Sequence, residues 1–182
     1  TKVRRHHVFR SGRDLAEGLL THNFVTGCTM LVQSDAAKRA IPFCPYMVHD
    51  HYIALCCAAE GMVYSSPEKT ICYRIHGGNQ TGIMSGVRDK ESYLNVRISA
   101  VEEKLRWLEK YFPYHDDLNK SIHRRLRWVH ARKENWQKKG HASELWQLRD
   151  CGRQVTLYEI LAARLPEKLF MRTINLARKN VI

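Results

Sequence analysis

The chain has 182 residues, 44% of them hydrophobic, enough to bury a core of ordinary size in one domain or in one compact domain with a helical appendage. This excludes wholesale disorder, the lack of any apolar run of about 18 residues excludes a transmembrane helix, and the start Thr1-Lys2-Val3-Arg4-Arg5-His6-His7 has no apolar signal-peptide core. The formal charge is +12: residues 1–87 carry 9 Lys and Arg against 6 Asp and Glu, and residues 88–182 carry 21 against 12, so the second half suits either an anionic partner or a solvated helix surface.

Residues 21–87 read as α/β. Phe24 to Val32 is β-rich and nearly continuous in apolar residues, which predicts a buried strand. Ser34 is placed to cap a short helix over Asp35 to Ala40, and Pro42 and Pro45 impose an irregular loop. Asp50 is placed to cap a helix running through Ile53 to Ala59 and closed by Gly61. Met62-Val63-Tyr64 predicts a short strand, and Thr70 to His76 another. On that last strand Thr70, Cys72, Arg74 and His76 share one face. The loop Gly77-Gly78-Asn79-Gln80-Thr81-Gly82 is either a simple turn or a close backbone approach to a ligand.

Residues 91–180 change to long amphipathic helices. Leu94, Ile98, Val101, Leu105, Leu108 and Phe112 form one apolar stripe, with Glu102 and Arg106 paired outside it, and Pro113 ends the helix. A second helix spans about Asp117 to Lys139 before Gly140. Ala142 to about Leu165, interrupted near Gly152, and Glu167 to Lys179 complete the tail. The six cysteines (Cys28, Cys44, Cys56, Cys57, Cys72, Cys151) include no CxxC pair. Most have apolar neighbours, which suits small hydrophobic side chains in a reduced, cytosolic setting.

The chemistry concentrates at His49-Asp50-His51. A carboxylate at a helix mouth is favoured in its ionised form and can act as a general base toward a hydroxyl. An N-cap Asp with a satisfied strand-end His accounts for the same residues. His76 suits a divalent metal or a phosphate oxygen, and Arg74 a phosphate or a protein carboxylate.

Three ordered motifs, Thr26-Gly27-Cys28-Thr29-Met30, His49-Asp50 opening a helix that ends at Gly61, and Tyr73-Arg74-x-His76-x-x-Asn79-x-x-Gly82, resemble the second half of the catalytic domain of family 2 glycosyltransferases, in particular rhamnosyltransferase-like bacterial enzymes. The resemblance covers roughly residues 15–85. It implies a GT-A fold (Rossmann-like α/β), with residues 1–87 as the C-terminal half of the catalytic domain and 88–182 as a basic helical region. The implied activity is inverting transfer of a sugar from a nucleotide-sugar to an acceptor hydroxyl in cell-envelope polysaccharide synthesis.

By the same resemblance Asp50 is the catalytic base. Thr26, Gly27, His49 and Tyr52 line the donor-sugar and acceptor pocket, His76 lies by the metal and diphosphate, and Arg74 and Asn79 belong to the loop closing over them. The divalent cation, Mg or Mn, is expected only together with a preceding nucleotide-binding half that carries an Asp-x-Asp motif. Without that half the expectation is a fragment, inactive alone, whose sheet has an exposed edge inviting strand exchange or homo-oligomers. The expected acceptor is a glycan or lipid-linked one, and the location cytoplasmic, at the inner face of a membrane whose anionic surface the tail contacts. Two other classes stand beside this reading. One is a His-Asp metal phosphohydrolase, which requires an all-helical fold. The other is a nucleic-acid-binding module using Arg124, Arg125, Arg127, Arg132 and Lys133 with Trp128 and Trp136 interleaved.

Overall fold

A computed structural model describes residues 11–12, 15–68, 70–72, 84–112 and 115–179. Nine α-helices are found among them: α1 Ala16–Leu19, α2 Ser34–Arg39, α3 His49–Glu60, α4 Lys90–Leu94, α5 Ala100–Tyr111, α6 Asp116–Gln137, α7 Ala142–Gln147, α8 Arg153–Ala162 and α9 Glu167–Lys179. The chain separates into two compact units, one of Thr1–Arg74 with Phe112–Asn119 and one of Ile75–Tyr111 with Lys120–Ile182. No helix among the described residues is long and apolar enough to cross a membrane.

The first unit is built around α3. Its sequence from His51 to Ala58 is almost wholly apolar, and Tyr52, Ala54, Leu55, Cys56 and Ala58 are all buried. A helix that is apolar all round must be covered all round. The buried Leu19 and Leu20 of the α1 segment contribute to that cover, and the His51 ring Nε2–H donates to the Leu19 carbonyl at 2.5 Å. Helix α2 is tied on by Arg39, whose Nε lies 2.6 Å from Glu60 Oε2. Gly61 ends α3, its N–H bonding the Cys57 carbonyl at 2.9 Å.

The α/β expectation for this unit is overturned: the described residues are helical and contain no sheet. Their one β feature is an isolated antiparallel bridge between Gly12 and Val63. Within the expected strand 24–32, Gly27–Thr29 winds into a 3-10 turn, with Thr29 N–H on the Thr26 carbonyl at 2.9 Å and Met30 N–H on the Gly27 carbonyl at 3.2 Å. Thr26 and Met30 on either side keep extended backbones, yet Leu31 is fully exposed. The physical reason is pairing. β-propensity expresses packing against a neighbouring strand, and an extended run with no neighbour leaves its ladder groups to turns and water. Residues 70–72 are likewise unpaired, and the remainder of the expected strand 70–76 lies outside the described residues. Among the described residues there is no sheet, and so no sheet edge on which copies could exchange strands.

The second unit is the helical region anticipated from periodicity. A helical run from Lys90 to Tyr111 starts in a capping box: Ser92 N–H donates to Asp89 Oδ1 at 2.7 Å, and Asp89 N–H returns a bond to Ser92 Oγ at 2.9 Å. It passes through a π-helical turn at Asn95–Ser99 and buries Tyr93, Ile98, Leu105 and Leu108. From α6, Ile122, Trp128 and Val129 are buried, and from α9, Phe170 and Ile174. Tyr93 stacks near Trp136 (centroids 4.8 Å apart) and meets Phe170 edge-on at 5.5 Å. Inside this apolar setting lies one charged pair: Arg132 Nε donates to Glu159 Oε2 at 2.7 Å and its Nη2 to Oε1 at 2.6 Å, while the Tyr93 hydroxyl donates to Oε1 at 2.7 Å.

Candidate active site

Helix α3 begins immediately after Val48, whose backbone is extended, so His49 and Asp50 occupy its first turn. Asp50 is therefore one turn-position inside the helix rather than its N-cap. Its carboxylate reaches back to the loop before the 3-10 turn. The Gly27 N–H donates to Asp50 Oδ2 at 2.9 Å, Asn23 Nδ2 donates to Oδ1 at 3.2 Å, and the neighbouring His51 N–H donates to Oδ1 at 2.6 Å. Asn23 is itself locked, because its Oδ1 accepts the Val25 N–H at 2.9 Å in a local side-chain turn.

Two separated sequence motifs thus meet in space. A Cβ placed on Gly27 would lie 3.3 Å from His49 Nε2 and 3.4 Å from Asp50 Cβ, so a side chain there would be accommodated only if the exposed His49 ring moved by a few tenths of an ångström. Thr26 stands beside it, exposed and extended, its carbonyl accepting both the N–H and the Oγ1–H of Thr29. His49 is exposed and Asp50 half-buried. A carboxylate has about four acceptor directions. Two donors meet Oδ1 and one meets Oδ2, which leaves Oδ2 able to accept one further hydrogen bond, held in a fixed orientation beside an exposed imidazole.

Of the other expected site residues, Tyr52 is fully buried, with its ring edge-on to Phe43 at 6.4 Å. Arg74, His76 and Asn79 lie outside the described residues. Asn23 and the Val25 turn were not anticipated. The signal that could have found them is an Asn two residues before a β-branched residue and four before a glycine, which marks a side-chain-closed turn. His51, the third member of the cluster, serves the core through Leu19.

The helical fold removes the objection to a His-Asp phosphohydrolase that rested on strands. Among the described residues no three His, Cys, Asp or Glu side chains converge on a point that could hold a metal ion. The basic patch of the second unit is also rearranged by folding. Arg124 pairs with Asp150, Arg125 is buried with Nη1 on the Cys151 carbonyl at 3.1 Å, Arg132 pairs with Glu159, and Lys133 Nζ sits 2.9 Å from Glu102 Oε2. Trp128 is buried, its Nε1–H on Thr156 Oγ1 at 2.8 Å and its ring under the Arg132 guanidinium at 4.4 Å. That aromatic face is taken, and base stacking needs an open one.

Comparison of the chain with known proteins finds no matching family model, no similar characterised protein and no similar solved structure.

Proposed function

We propose that the loop 23–29 and the mouth of α3 form the base-bearing, acceptor-side part of an inverting sugar-transfer site. In this reading an acceptor hydroxyl docks against Asp50 and gives its proton to Oδ2 while its oxygen attacks the anomeric carbon of a nucleotide-sugar. The new C–O bond forms on the face opposite the departing group, and the bond to the diphosphate oxygen breaks, its electron pair leaving with the nucleoside diphosphate. His49 and the Thr26 hydroxyl flank that approach and are the groups available to orient sugar hydroxyls. The supporting observation is the meeting of Gly27 and Asp50 at 2.9 Å, two motifs 23 residues apart whose order prompted the sugar-transfer reading.

General base assistance contributes roughly 10²–10⁴-fold to such steps. The test follows binding of short oligosaccharide acceptors to the chain through the Gly27 amide resonance, and follows transfer from uridine and thymidine diphosphate sugars in a form of the protein that also carries the nucleotide-binding half the reading requires. The expected result is a shift of that resonance with acceptor in both the native chain and Asp50→Asn, and transfer that Asp50→Asn reduces by about 10²-fold or more. Transfer that survives in Asp50→Asn, or an oligosaccharide panel that leaves the Gly27 resonance unmoved, overturns the reading.

A further inference from the structure

We infer that one face of the α8–α9 pair is a docking surface for an anionic lipid bilayer. The inference concerns the second unit only and is independent of the role given to Asp50. The two helices are joined by four residues, 163–166, and are coupled beyond that turn by the Tyr158 and Thr173 hydroxyls, 2.8 Å apart. They therefore run back on one another.

The inward stripe of each helix is conventional, with Ala162, Phe170 and Ile174 buried. The outward positions are not. Leu161 is 68% and Leu176 60% exposed, and Leu157 and Leu169 are exposed as well. At about 100° per residue, Leu161 lies roughly 60° from Tyr158 around α8, and Leu169 and Leu176 lie roughly 40–60° from Thr173 around α9. All three offsets have the same sign. In helices running in opposite directions, same-signed offsets turn to the same side of the pair, so the leucines line one face.

Cations flank them. Arg153, one turn before Leu157 on the same stripe, is exposed, as are Lys168 and Arg172 beside Leu169 on α9. Over 153–179 there are six Lys and Arg against two Glu, one of the six, Arg178, being turned instead to the Met84 and Val87 carbonyls. Neither glutamate disturbs this face. Glu159 is buried against Arg132, and Glu167 lies on the opposite side of α9, where its Oε1 accepts the Lys90 N–H at 3.0 Å.

Leucines along the middle with long cationic side chains at the edges is the pattern of helices that lie in a membrane interface, where alkyl groups enter the acyl boundary and cations reach anionic headgroups. A protein partner would be expected to meet aromatic anchors, whereas the exposed apolar side chains of α8 and α9 are all aliphatic, and a nucleic acid would gain nothing from aliphatic side chains. The charge complementarity selects the bilayer.

The test is co-sedimentation of the whole chain with vesicles of phosphatidylcholine alone and of equal parts phosphatidylcholine and phosphatidylglycerol. The chain is expected to sediment with the mixed vesicles and not with the neutral ones. Leu161→Ser with Leu176→Ser should lower the partition coefficient about tenfold. Arg153→Gln with Arg172→Gln should lower it by about fivefold per charge. All four side chains are on the surface, so the thermal melts should match the native chain. A leucine variant that melts earlier would show those side chains to be buried in the fold and would overturn the inference. So would equal binding to neutral vesicles, or binding unaffected by the leucine variant. Conversion of a dimer to a monomer by that variant in light scattering would assign the face to a second copy instead, and its loss of oligonucleotide binding would assign it to nucleic acid.

Discussion

The Arg132 guanidinium grips the Glu159 carboxylate with two parallel bonds of 2.6 and 2.7 Å, and neither side chain has more than 5% exposure. Burial works against the Arg132 charge, but the Glu159 bonds outweigh it and hold the guanidinium above its ordinary value. Burial first, and then the neighbouring Glu159 charge, pushes the Tyr93 phenol well above its ordinary value. A buried pair of this kind contributes little against an apolar replacement, yet removing one member strands the other. Glu159→Gln or Arg132→Met alone should therefore cost about 3–5 kcal/mol in urea unfolding, whereas Arg132→Met with Glu159→Leu should recover most of that loss. A double variant as unstable as the sum of the singles would show that the pair adds stability of its own.

At the other unit, the Asp50 carboxylate is a staple as well as a candidate base. Asp50→Ala removes the acceptor for the Gly27 N–H and the Asn23 amide, and part-exposed bonds of this kind are worth about 0.5–1.5 kcal/mol each. The loss should be local. Hydrogen exchange at Gly27 should accelerate while amides in the middle of α3 keep their protection, and Asp50→Asn, which retains an oxygen, should fall between. Uniform acceleration along α3 would mean that the carboxylate holds the whole helix and not only the loop.

The helices of the second unit were legible because their stripes are long. Ile98, Leu105 and Leu108 are buried as their four-three spacing requires, and Glu102 meets Arg106 at 2.8 Å. The interruption near Gly152 also has a visible cause: a Cβ there would lie 2.9 Å from the Trp128 ring, so the chain passes closest to the ring where it has no side chain. The strands were misread because Phe24–Val32 carries the composition of a strand while nothing in a local window states whether a partner strand exists. The Gly27 bond to Asp50 joins a loop to a helix 23 residues away, and no local window states it. Nor were the buried Tyr52 and the buried Arg132 legible, because burial of a long polar side chain depends on a partner 27 residues away, Glu159, which no periodicity announces.

The thiols should divide by exposure. Cys28 and Cys72 are exposed, whereas Cys44 and Cys56 are buried, and burial pushes the Cys56 thiol up to about 11 despite its bond to Tyr52. Burial also raises Cys57 and Cys151. Since the thiolate is the reactive form, an aromatic disulfide reagent at pH 8 should titrate two cysteines rapidly in the native chain and the rest only on unfolding. Cys28→Ser and Cys72→Ser should each remove one rapid equivalent. A rapid phase that persists in the double variant would place a third thiol at the surface.

Acid should weaken the second unit through two carboxylates whose ionised forms are bonded in the fold. Burial tends to raise Glu102, but its bonds to Lys133 at 2.9 Å and Arg106 at 2.8 Å outweigh this and hold it below 4.5. Asp89 is held below 3.8 chiefly by the Ser92 backbone N–H and hydroxyl of the capping box. A depressed native pKa means that the unfolded chain takes up the proton first, so the stabilisation is complete above the unfolded value and disappears as pH falls through the native one. Urea midpoints should accordingly be flat from neutrality down to about pH 5 for these two groups and decline below it. Glu102→Gln should be less stable at pH 7 but show a shallower decline in acid, because the group that loses its charge is already gone. A decline as steep as in the native chain would remove the Glu102 bonds to Lys133 and Arg106 as a source of the acid sensitivity.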